Sequence, residues 1–151
     1  MLTVNTQTLA GTYEYVVKAD PAVDTECDDF EEKWRLYSDG QGSPPLKAGQ
    51  SPTVFKLRHL RGRDENKMSP YLGRAGTKPE YMQDALYAVA RIVLVGWDNM
   101  RDTGGQLVKM RTTTDDDGER VVSLDSMDLL SFGVIAEIAA VALDRRNGDP
   151  L

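Results

Sequence analysis

The segment SLDSMDLLSFGVIAEIAAVALDRR near the C-terminus places the strongest constraint on the fold. Its apolar residues recur at three- and four-residue spacing, which predicts a helix over residues 125–145. A helix that is apolar over most of its circumference is central in its own domain or contacts a neighbouring subunit. We therefore expect the outward face of this helix to bind partners. One apolar stripe consists of Leu130, Val134, Ile138, Val141 and Ala142, and the other apolar positions are Phe132, Ile135, Ala139 and Leu143.

Residues typical of helix ends flank this segment. Ser123 or Ser126 offers an N-cap, because a serine hydroxyl can accept a hydrogen bond from an unpaired backbone N–H of the first turn. Arg145 suits the negative C-terminal end, and Asn147-Gly148 is expected to terminate the helix.

A second helix is predicted over residues 78–95. Thr77 as N-cap with Glu80 three residues later forms a capping box, and Pro79 suits the first turn because its missing N–H would have no helical partner there. The residues that recur on one face are Met82, Ala85, Leu86, Val89, Ile92 and Val93.

The sequence Gly96-Trp97-Asp98-Asn99 directly follows this helix. We expect Gly96 to end the helix in the left-handed conformation that glycine adopts most easily. Trp97 is then expected to fold back as a large apolar anchor, while Asp98 and Asn99 bond the backbone of the turn.

Shorter patterns predict strands elsewhere. GTYEYVVKAD and TVFKLRHL alternate as strands do, and GGQLVKMRTTTDDDGERVVSL predicts a hairpin over residues 106–122 with DDDG at its turn. FEEKWRLYSDG fits a strand or a short helix, and the turn at DG favours the strand. Residues 40–52 are expected to form a loop, and residues 61–68 a short exposed helix or turn. The fold class is thus α+β, a small antiparallel sheet and hairpins with two principal helices.

Length and composition limit the domain count and the compartment. A chain of 151 residues suits a single domain, with residues 1–52 as an extended N-terminal arm or β region and residues 53–146 as an α+β core. Apolar runs are only a few residues long, so no membrane span is expected. MLTVNTQTLAGTY has neither a basic region nor an apolar run, so we expect no signal peptide and a cytosolic site of action.

Charged residues are divided unevenly along the chain. Seven acidic and no basic side chains occur between residues 20 and 32, whereas six basic side chains occur between residues 56 and 74. We expect the acidic group Asp28, Asp29, Glu31 and Glu32 and the basic group Arg58, Arg61 and Arg63 to bind partner proteins, although a solvated surface would show the same pattern. Charge reversal of Arg61 and Arg63 is expected to weaken assembly and leave the isolated fold intact. The net charge of −6 argues against general nucleic-acid binding.

No motif nominates a catalytic set, a metal site or a cofactor. Aligning TTTDDDGER with a calcium-binding EF-hand loop puts Leu124 where the loop needs a bidentate glutamate. Cys27 lies among acidic residues that disfavour its thiolate, and His59 is the only histidine, so neither nucleophilic nor zinc chemistry is expected. We predict a non-enzymatic protein without cofactors.

The order of these segments resembles small tail-assembly proteins of tailed bacteriophages. The resemblance covers roughly residues 53–143 and consists of VFKLRHLRGRDE, a helix ending in ARIVLVGWDNMRD, a glycine-containing turn with a hairpin, and a terminal apolar helix. Its most specific piece is Gly96-Trp97-Asp98-Asn99. The chain departs from the family in having DTGG where members often have DG, and its first fifty residues have no counterpart.

The resemblance implies a structural protein of the virion, in the tail, neck or baseplate, assembled in the bacterial cytoplasm. Its partners would be other phage structural proteins and copies of itself, with no membrane contact. The first alternative is a transient tail-assembly chaperone that the virion does not retain. A small-molecule-binding or enzymatic domain is a second alternative, which a pocket lined by Trp97, Asp98 and the turn at residues 115–117 would favour. A nucleic-acid contact through residues 56–74 is a third.

Overall fold

A computed structural model describes residues 11–148, with side chains as far as Arg145. Most of the stretch assessed for a signal peptide therefore lies outside the described residues. The strands are β1 (Thr12–Tyr15), β2 (Val54–Arg58), β3 (Leu94–Asp98), β4 (Thr112–Thr114) and β5 (Arg120–Val122). The helices are α1 (Phe30–Ser38), α2 (Glu65–Leu72), α3 (Pro79–Val93), α4 (Leu124–Met127) and α5 (Phe132–Gly148), with a 3-10 turn at Gly62–Asp64 before α2. The α+β class is confirmed.

The strands form two separate antiparallel sheets. One has three strands in the order β1-β2-β3, and the other is the β4-β5 hairpin. In the larger sheet Phe55 pairs with Trp97 and Lys56 with Gly96, but Leu57 pairs with Leu94, so that Val95 is skipped. Such a one-residue bulge increases the local twist of a strand. It occurs immediately after α3 ends.

A single core joins the sheet to the helices. Buried residues of β1, α1, β2, α3 and α5 belong to one cluster. Tyr15, Trp34 and Tyr37 pack as a group of aromatic rings, with ring centroids 5.2 to 6.4 Å apart. The described part of residues 1–52 is therefore packed into the domain and is not an extended arm.

The helix α5 is held to the N-terminal strand by a carboxylate as well as by apolar packing. Glu137 accepts hydrogen bonds from the Tyr15 hydroxyl at 2.6 Å and from the Lys18 backbone N–H at 2.9 and 3.1 Å. Tyr15 is 1% exposed, and burial followed by this hydrogen bond raises its pKa above the ordinary value of 10.0. Both donors would lack a partner without Glu137.

The strand predicted in FEEKWRLYSDG is wrong, because these residues form α1. The buried side chains are Phe30, Trp34 and Tyr37, which are four and three residues apart as one face of a helix requires. Leu36, the other large apolar residue of the segment, is only partly buried.

The predicted capping box before α3 is also wrong. Lys78 is the N-cap residue and makes no side-chain capping bond, whereas the Thr77 hydroxyl donates to the carbonyl of Arg74 at 2.7 Å. Pro79 does occupy the first turn, as expected.

The helix predicted over residues 125–145 is interrupted. The Ser123 hydroxyl caps α4 by accepting from the Ser126 N–H, and the Ser131 hydroxyl accepts from the Val134 N–H at the start of α5. The second serine cap begins a new helix where one continuous helix was expected. α5 is helical through Gly148, the last residue that the structure describes, so the predicted range of 125–145 is three residues short at this end.

We expect Glu137→Ala to lower the free energy of unfolding by about 2 kcal/mol, because it leaves a buried hydroxyl and a backbone N–H without an acceptor. Urea denaturation measures the change. Glu31→Ala is the control, since within the described chain the Glu31 side chain forms only an exposed 3.7 Å ion pair with Lys18, and its loss should cost less than about 0.5 kcal/mol. Equal losses in the two variants would contradict this role of Glu137.

Candidate functional site

Gly96 does not end a helix, so the predicted left-handed C-terminal glycine is wrong. α3 ends at Val93, and Leu94 already has the extended angles φ −76° and ψ 113°. Gly96 lies inside β3 opposite Lys56, and the left-handed residue comes three positions later, at Asn99 with φ 60°. The chain passes from helix to strand without a turn.

Trp97 is a buried anchor in the sheet. It is 7% exposed, packs edge-on against Phe55 with ring centroids 6.2 Å apart, and donates its indole N–H to the carbonyl of Val108 at 2.8 Å. Trp97 thereby connects β3 to the segment that leads into the hairpin. Its polar atom has a partner, as a buried indole requires.

Asp98 and Asn99 bond other segments and not the expected turn. Asp98 forms an ion pair with Lys56 of the neighbouring strand at 3.2 Å. The Asn99 amide donates to the carbonyls of Ser51 and Pro52 at 3.0 and 3.1 Å, which fixes the loop that precedes β2. The segment Gly96-Trp97-Asp98-Asn99 thus has a structural role between β2, β3 and two loops.

A buried carboxylate organises the basic part of the chain. Asp64 is fully buried and accepts two hydrogen bonds from the Arg58 guanidinium, at 2.8 and 3.1 Å, and one from the Arg61 backbone N–H at 2.7 Å. Burial favours the neutral acid, but the bonds from Arg58 and Arg61 together outweigh it and hold the pKa of Asp64 at about 2, against an ordinary 3.8. The carboxylate therefore stays ionised.

The same cluster holds the hairpin turn. Arg61 also contacts Glu119 at 2.8 Å, and Lys67 of α2 contacts Asp115 at 2.8 Å and Glu119 at 3.4 Å. The hydrogen bond from Lys67 lowers the pKa of Asp115, and the bond from Arg61 lowers that of Glu119. These ion pairs join α2 to the turn between β4 and β5.

Each of the six basic side chains between residues 56 and 74 has a partner within the chain. Lys56 pairs with Asp98, Arg63 contacts Glu119 at 3.3 Å, and Arg74 lies over the Tyr81 ring at 5.1 Å. The other three are Arg58, Arg61 and Lys67, described above. A partner protein or a nucleic acid would have to displace these contacts, and only Arg63 of the predicted binding group is largely exposed, at 64% of its side chain.

The acidic group lies apart, at the start of α1. Asp28, Asp29, Glu31 and Glu32 are exposed, and Asp29 is the left-handed N-cap residue with φ 56°. Glu31 and Glu32 make exposed ion pairs with Lys18 and Arg35. The acidic and basic groups do not contact each other within the described chain, and partner binding by either remains a prediction.

An open cleft of about 640 Å³ lies between α2, α3 and the hairpin. Carboxylates line it from the hairpin turn at residues 115–117 and from Asp84 on α3. Tyr71 and Tyr87 present aromatic rings, and Ala88 and Val121 are among the apolar residues. Neither Trp97 nor Asp98 lines this cleft.

The sequence reasoning missed Asp64, Lys67, Glu119 and the two tyrosines as parts of this site. Asp64 had a detectable signal, because it follows Arg61 by three residues and Arg58 by six within a basic stretch. The partners of Lys67 are about fifty positions away in sequence, and no local pattern identifies them.

His59 and Cys27, the other candidates for chemistry, are both partly buried in the fold. His59 packs against the Tyr13 ring with centroids 4.8 Å apart, and Cys27 is a partly buried free cysteine. Within residues 11–148, no cluster of three histidine, cysteine or acidic side chains could hold a metal ion. No helix in the same range is both long and apolar enough to cross a membrane.

No protein-family model, curated protein or solved structure matches this chain.

We expect Asp64→Asn to lower the free energy of unfolding at pH 7 by about 3 kcal/mol, because two guanidiniums lose their buried counter-charge. The folded pKa of about 2 lies below the ordinary 3.8, so this carboxylate stabilises the fold above pH 3.8 and loses that effect as the pH falls towards 2. Urea denaturation at pH 7, 4, 3 and 2 should show the difference between wild type and variant shrinking by about 2 kcal/mol. A constant difference would contradict the role of Asp64.

Charge reversal of Arg61 is now expected to destabilise the fold, because Arg61 bonds Asp64 and Glu119. Arg61→Glu places a carboxylate beside Asp64 and Glu119 and should cost about 2 kcal/mol or more. Arg63→Glu, at a largely exposed position, should cost less than about 1 kcal/mol. Thermal unfolding of the two variants compares them, and equal transition temperatures would show that Arg61 has no special structural role.

Proposed function

We propose that the chain is a non-enzymatic structural component of a tailed-bacteriophage virion, in the tail, neck or baseplate. It acts through contacts with other phage structural proteins and with copies of itself. The proposal starts from the resemblance of residues 53–143 to small phage tail-assembly proteins.

Two of the segments that carry the resemblance lie side by side in the fold. VFKLR forms β2 and LVGWD forms β3, and the two strands pair along their length, with Val54 opposite Asp98 and Phe55 opposite Trp97. Segments forty residues apart in sequence thus make one packed element. The resemblance in these two segments therefore concerns a single part of the domain, the pair of strands β2 and β3.

The observation that carries the protein-binding part of the proposal is an exposed apolar group at the junction of α4 and α5. Leu124, Leu129 and Phe132 are 54%, 57% and 44% exposed. Large exposed apolar side chains that lie close together in the chain favour a surface used for protein contacts. Phe132 also places this group on the start of the last helix, whose outward face was predicted to bind partners.

The alternative is a transient tail-assembly chaperone, which would use the same contacts and leave before the particle is complete. A structural component and a chaperone both act by binding other proteins. They differ in whether the chain is retained in the finished particle.

Quantitative mass spectrometry of purified particles of the encoding phage tests the proposal. We expect the chain at a fixed multi-copy ratio to the other tail proteins, unchanged by a high-salt wash. Its presence in infected cells with absence from washed particles would reject the structural component in favour of the chaperone. A known non-virion protein from the same lysate provides the baseline for carry-over.

A further inference from the structure

The cleft between α2, α3 and the hairpin has the chemistry of a binding site for a cation. Of its charged lining residues, Lys67 is already bound to Asp115 and Asp117, and Arg91 donates to the carbonyl of Val122. Asp84 and Asp116 are exposed, and within the described chain no side-chain partner neutralises either carboxylate. The lining thus holds four carboxylates against two cations, Lys67 and Arg91, so the cleft carries a net charge of −2.

Its other walls fit the stem of a long basic side chain. Tyr71, which is 38% exposed, and Tyr87 offer aromatic faces of the kind that attract guanidinium and ammonium groups. Ala88 and Val121 add apolar surface for methylene groups. An arginine side chain suits all three kinds of lining residue. Its planar guanidinium stacks on aromatic rings and pairs with carboxylates, and its methylene groups pack on apolar surface.

The hairpin carries an arginine that cannot use its own cleft. Arg120 is exposed on β5, and within the described residues its side chain has no partner. Val121 lines the cleft, and successive side chains of a strand point to opposite faces. Arg120 therefore lies on the opposite face of the strand from Val121, and as an exposed residue it is accessible to a neighbouring molecule.

We propose that the cleft of one copy of this chain binds Arg120 of a second copy. The inference rests on the proposed multi-copy function and names one of its contacts. Charge complementarity supports this occupant, since an exposed arginine without a partner in the described chain would meet a cleft that is acidic and aromatic.

Sedimentation velocity over a concentration series tests this contact in the full-length protein. Wild type should associate, Asp84→Asn with Asp116→Asn should weaken the association roughly 10-fold, and Arg120→Glu should do the same. Lys109→Glu is the matched control, since Lys109 is equally exposed and unpaired in the described chain but lies outside β4 and β5, and it should associate like wild type. Circular dichroism checks that each variant is folded.

A charge exchange makes the test specific. The cleft variant Asp84→Lys with Asp116→Lys and the hairpin variant Arg120→Glu should each fail to associate alone, and an equimolar mixture should associate, because each opposite pair is restored between molecules. A monomeric wild type, unchanged association of the neutral cleft variant, or a mixture that stays monomeric would overturn the inference. Virion mass spectrometry is independent of this contact, so a chain found in particles while the exchange fails would retain the proposed function and lose only this interface.

Discussion

The ionised carboxylate of Asp64 is the interaction on which the arrangement of the domain depends. A carboxylate removed from water is costly unless charged donors surround it, and Arg58 and Arg61 supply them. Arg58 belongs to β2 and Asp64 to the turn before α2, so this pair fixes the start of α2 relative to the sheet. Arg61 then reaches Glu119, which fixes the hairpin relative to α2. The cleft exists because these three elements are held in place.

The periodic parts of the fold could be predicted from the sequence, because burial repeats with the geometry of the element. The strands in TVFKLRHL and the helix ending at Val93 follow from such repeats. The ends of elements depended on single hydrogen bonds that several residues could supply. Thr77 and Ser131 illustrate this, since both are suitable N-caps and only Ser131 acts as one. Gly96 misled for a related reason, because glycine suits a bulged strand as well as a helix end.

The candidate site was predictable only in its composition. The sequence shows that residues 56–74 are basic and that residues 115–117 are acidic, but not that Lys67 lies within 2.8 Å of Asp115. Both charge runs were therefore interpreted as surfaces that bind partner proteins. The basic side chains instead form contacts within the domain. Asp84 and Asp116, the carboxylates of the proposed contact, are 32 positions apart in the sequence and are brought into one cleft only when the hairpin lies beside α3.

The bond between Tyr15 and Glu137 spans 122 positions of the chain. During synthesis β1 and α1 emerge from the ribosome long before α5. Until α5 has been made, they lack both the Glu137 carboxylate and the helix that packs against them. Contacts between such distant segments also slow folding, because the chain must close a long loop before it gains their energy. The nascent protein therefore passes through a stage in which Tyr15 lacks its acceptor Glu137, and α5 supplies that acceptor once it has been translated.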